Sequence, residues 1–129
     1  MNDASAVLRT YLLTKTALTL LVGTRINRET GVPAQGWTPS AGPCVSIIGR
    51  GGAFDASDAM LAWPVQVTCW GRDPQEAGNV YRAVVGALDN ASGGQLRHAY
   101  LTSLGQTIRQ AETGWPYVLC GFRVLISKE

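Results

Sequence analysis

The sequence predicts an α+β fold: a two-layer sandwich with two helices on one face of a mainly antiparallel four-stranded sheet. The order of elements is helix, two strands, helix, two strands. Three observations predict it. Apolar residues recur at helical spacing over 3–21 and 73–89. They alternate with a period of two within strand-like runs, most clearly over 60–71 and 116–127. Successive strands are joined by short connections, which favour antiparallel pairing with the helices gathered on one face.

The first segment opens on Asp3, a candidate N-cap. Ala4, Val7, Leu8, Tyr11, Leu18 and Val22 then share one face, and Lys15 interrupts it. Leu13, Ala17 and Leu20 form a second apolar strip on the far side. Two readings stand. One is a single helix that needs two partners, the domain core and a neighbouring subunit. The other is a break near Thr14 to Thr16 that leaves two shorter helices, each with one buried side. Gly23 stops the segment and delivers Arg25 and Ile26 into an extended stretch.

Residues 23–42 read as loop, punctuated by Gly23, Gly31, Pro33, Gly36, Pro39 and Gly42. At about 20 residues this is long for an internal connection, which points to either function or disorder. Trp37 sits in it without a periodic partner. A strand follows at 43–49, and 50–59 reads as a flexible connector. In the second strand, 60–71, Val65, Val67 and Cys69 alternate with Gln66, Thr68 and Trp70. Pro64 lacks an amide hydrogen and marks an edge or a bulge.

The second helix has the fullest set of signals. Asp73 caps it, Pro74 takes the first turn, and Glu76 completes a capping-box pattern. Ala77, Val80, Tyr81, Val84 and Leu88 line one face, and Asn90 to Gly94 end it. The third strand, 96–112, places Leu96, His98, Tyr100, Thr102 and Leu104 on one parity, with Gly105 as a bend. The fourth, 116–127, sets Val118, Cys120, Phe122, Val124 and Ile126 on one face.

Composition fits a single globular domain over 1–129: 46% of residues are apolar and 16% charged. The net charge is +2, without a run of like charge, so no basic stripe marks a nucleic-acid surface. No apolar run is long enough to cross a bilayer, so no membrane partner is expected. No basic segment precedes an apolar one at the N-terminus, so the chain is expected in the cytosol when made.

Catalytic chemistry finds little support. Cys44, Cys69 and Cys120 form neither a disulfide framework nor a zinc pattern, and read as buried apolar residues. Gly-Arg-Gly-Gly at 49–52 lacks the Lys-Ser/Thr ending of a phosphate loop and reads as a mobile hairpin tip. His98 is the sole histidine, so no histidine metal cluster forms. A thiol enzyme using Cys120 with His98, or Cys69, is the remote alternative. No cofactor, no metal and no enzymatic activity are expected. Trp70 ends its strand on the parity opposite Val65, Val67 and Cys69. It is either an interface anchor or the rim of its own core.

Five blocks carry a family resemblance. They are Leu-Val-Gly-Thr-Arg-Ile at 21–26, Pro-Cys-Val-Ser-Ile at 43–47, and Val-Gln-Val-Thr-Cys-Trp at 65–70. After them come the capped helix through 84–88 and Phe-Arg-Val-Leu-Ile at 122–126. In order and spacing the chain resembles the tail-completion (tail terminator) proteins of long-tailed, siphovirus-like phages. The resemblance implies a structural virion protein at the head-proximal end of the tail. Such a protein assembles as a ring, typically hexameric, on the tail tube, ends tube polymerisation and offers a surface to the head-tail connector or neck. Its partners would be copies of itself, the tube protein and the neck protein, with DNA only as cargo through the pore. A neighbouring role as another neck or tube-like protein of the same module is the alternative. Loops 27–42 and 50–59 are the expected axial contacts. Arg25, Arg28, Trp37, Arg50, Phe54 and Trp70 are the expected interface residues.

Overall fold

A computed structural model of the chain describes residues 4–28, 30, 32–49, 54–55 and 60–127. The predicted N-cap Asp3 and most of the connector 50–59 lie outside the described residues.

The first segment is broken, as the second reading required. Helix α1 spans Ala4–Leu12 and α2 spans Thr16–Val22. Between them the Thr14 and Lys15 amides turn back to the Tyr11 and Leu12 carbonyls, at 3.1 and 3.0 Å, and the Thr14 hydroxyl also donates to Tyr11 O. A β-branched residue that bonds its own upstream carbonyl competes with the helical ladder. Gly23 ends α2 at φ 60°, its amide donating to Thr19 O at 2.8 Å. That left-handed position is one glycine fills without strain.

Strand β1, Ile26–Arg28, then pairs in parallel with β2, Cys44–Gly49. β3 (Phe54–Asp55) and β2 lie along the same edge of β4, Met60–Trp70. Helix α3 spans Pro74–Leu88, followed by β5 (Ala91–Gly93), β6 (Leu96–Arg109) and β7 (Pro116–Ser127). Six strands lie side by side in the order β1-β2-β4-β7-β6-β5, with β3 beside β4 as a seventh. The α+β class holds, but the four-stranded, two-helix sandwich is corrected: among the described residues three α-helices lie on a wider, mixed sheet. β1, β3 and β5 are only two or three residues long, too short for alternation to register.

The core forms where the inner sheet face meets the helices. Val45 and Ile47, Val65, Val67 and Cys69, and the five inner residues of β7 pack against Leu8, Leu12, Leu18, Val80, Val84 and Leu88. Fully burying one such aliphatic side chain contributes about 1.5–3 kcal/mol. The α3 cap forms as expected: Asp73 Oδ1 accepts from the Glu76 amide at 2.8 Å. The Glu76 carboxylate accepts from the Arg72 amide at 2.9 Å.

β6 departs from its predicted parity. Its register with β7 shifts between Leu96 and His98, between Leu101 and Ser103, and between Ser103 and Gln106. Each shift adds a residue to β6 and turns the strand face over. Leu96 and Ala99 therefore point into the core while His98 and Tyr100 lie against each other on the outer face. Leu104 is left 79% exposed.

A second, smaller cluster forms on the outer sheet face at one end. Cys44, Trp70 and Tyr117 occupy one row across β2, β4 and β7. Trp37 from the long loop and Trp115 from the β6–β7 turn close over them. Trp37 meets Trp70 and Trp115 edge to face at 6.4 and 5.3 Å, and Trp70 stacks on Tyr117 at 4.4 Å. The Trp37 indole donates to Gly42 O at 2.9 Å, and the Ser46 hydroxyl donates to Val32 O at 2.9 Å. The loop is thereby strapped to the sheet.

Candidate functional site

The three thiols are buried and unpaired by disulfides. Burial pushes the Cys44 thiol up to about 12, only partly offset by the positive charge of Arg25. A hydrogen bond with Cys120, together with burial, also holds Cys69 well above the ordinary thiol range. Nucleophilic cysteines need the opposite shift and access to solvent. Cys120 donates weakly to Val67 O at 3.6 Å inside the core. His98, on the other face of the sheet, leans on Tyr100. The Cys120–His98 pair considered from sequence is therefore not brought together. No group of three metal-ligating side chains occurs among the described residues. No helix among them is long and apolar enough to cross a membrane.

The sequence-predicted interface residues fall into three groups. Arg25 is a clamp inside the fold: its guanidinium donates to Pro43 O at 2.9 Å and to Leu21 O at 3.3 Å, joining the end of α2 to the start of β2. A Cβ on Gly42, whose φ is 106°, would overlap that guanidinium. Trp37 and Trp70 are 9% and 1% exposed, and belong to the outer cluster of their own chain. For Trp70 the rim-of-core reading is the one the packing matches. Arg28 ends β1 and is exposed. Arg50 lies outside the described residues, as does the side chain of Phe54, whose backbone pairs with Ala62. Of the four whose side chains are described, Trp37 and Trp70 share one cluster, while Arg25 and Arg28 lie outside it.

Two other features offer surface. One is a groove of about 320 Å³ between α2 and the start of α3, lined by Leu20, Leu21, Pro43, Arg72, Glu76 and Asn79 among others. Leu20 is 80% exposed beside it. The other is the bulged middle of β6. There Tyr81 of α3 lies over Gly105 and its hydroxyl accepts from the Gly105 amide at 2.9 Å. The Leu101 amide is taken by Asp89 Oδ1 at 3.1 Å. At the far edge of the sheet, Arg9 Nε donates to Ile26 O at 2.7 Å. Side chains thus occupy backbone groups on both sheet edges, which discourages open-ended strand pairing. The far-side strip in the first segment pointed to Leu20. Leu104 was hidden by the assumption of unbroken alternation in β6.

No protein-family model and no curated protein matches the chain. Among solved structures the fold is shared with a chain of the virion of a native gene transfer agent particle. The two align with a TM-score of 0.63 and 20% identity over 98% of this chain and 99% of that one.

Proposed function

We propose that the chain is a structural virion protein that caps the tail tube of a long-tailed phage-like particle as a closed, hexameric ring. It ends tube polymerisation and presents a surface to the head-tail connector or neck. The observation that carries this reading is the end-to-end fold likeness to a chain of a gene transfer agent virion. The likeness points to a virion and not to a position within it; the tail-terminator position rests on the order of the sequence blocks.

A ring is a heterologous interface whose rotation closes. Each copy then needs two different lateral surfaces and two axial ones. Arg28, Arg50 and Phe54 remain the proposed axial contacts, with loops 27–42 and 50–59. Arg25 supports that surface from behind, and Trp37 and Trp70 hold the long loop against the sheet. DNA would meet the ring only as cargo.

Deleting the gene from a phage that carries it tests the proposal. Tails of irregular length that fail to join heads are expected, with immunogold label at the head-proximal tail end in the complemented phage. Tails of normal length joined to heads in its absence would refute it. Label at the neck or along the tube would move the protein to the neighbouring role.

A further inference from the structure

We draw no further inference here: the strongest candidate, the apolar groove of about 330 Å³ between α1 and the β5–β6 turn, lined by Val7, Thr10, Tyr11, Gly93 and Gln95 among others, carries none, because nothing in the structure shows what covers it.

Discussion

Gly105→Ala should loosen the part of the fold that displays Leu104. A Cβ at position 105 would lie 2.6 Å from Tyr81 Cζ and 2.8 Å from both Cε atoms, far inside the 3.5–4.0 Å of favourable carbon contact. The ring must lift by about 1 Å, and its hydroxyl then leaves the Gly105 amide. Overpacking costs about 1–3 kcal/mol and the lost hydrogen bond about 1 kcal/mol. Against these, replacing a glycine stabilises by about 0.4–1 kcal/mol through the unfolded chain. The backbone at 105 is not in the left-handed region, so no further strain enters. The net expectation is a loss of about 2 kcal/mol, or a Tm lower by about 8 °C for a domain of this size. Urea unfolding followed by circular dichroism measures it in four chains: the parent, Gly105→Ala, Tyr81→Ala and the double variant. In the Tyr81→Ala background the ring is gone, and Gly105→Ala should be neutral or stabilising by up to about 1 kcal/mol. An equal cost in both backgrounds would show that the ring is not what the new methyl group meets.

Three further outcomes follow from the packing. Trp37→Ala should cost about 3 kcal/mol and open the segment 30–43 to a nonspecific protease before the rest of the chain unfolds; protection equal to the parent's would contradict the strapped loop. All three cysteines should resist a mild alkylating agent until denaturant is added, whereas rapid labelling of one in the folded chain would revive the thiol enzyme. Stability should fall with alkali: an unfolded chain releases the Cys44 proton near 9.0, the folded chain holds it to about 12, and Cys69 shifts the same way. The unfolded state thus binds fewer protons in this window, so stability present below pH 9.0 is lost above it by about 1.4 kcal/mol per unit from Cys44. The slope of unfolding free energy between pH 9.0 and 11 should be shallower in Cys44→Ala, and parallel slopes would refute the assignment.

What could be read from the residues follows from which forces are local. The cap of α3 is encoded within Asp73 to Glu76, and its buried stripe within one helix, so both were legible. β7 alternates without interruption and was legible too. β1 was read only as an extended stretch at Arg25 and Ile26; its place in the sheet was not legible, because Ile26–Arg28 is held by pairing with β2 and by Arg9 from α1, contacts distant in sequence. The face of β6 was misassigned because extra residues in a ladder leave no periodic trace. Arg25 was singled out as an interface residue, and its guanidinium also clamps the Pro43 and Leu21 carbonyls of its own chain, a role that a lone arginine in a loop does not announce. The tryptophans were noticed for their number, but only tertiary structure shows Trp37 and Trp70 spent on each other.

The outer cluster also decides what tryptophan emission would report. Trp37, Trp70 and Trp115 are gathered at one end of the sheet, away from the helices, while Trp63 packs against the main core. Three of the four tryptophans therefore sit beside the strapped loop. Spectra that shift when copies dock would register movement of that loop, and a melting curve read by emission would precede one read by helix content whenever the strap lets go first.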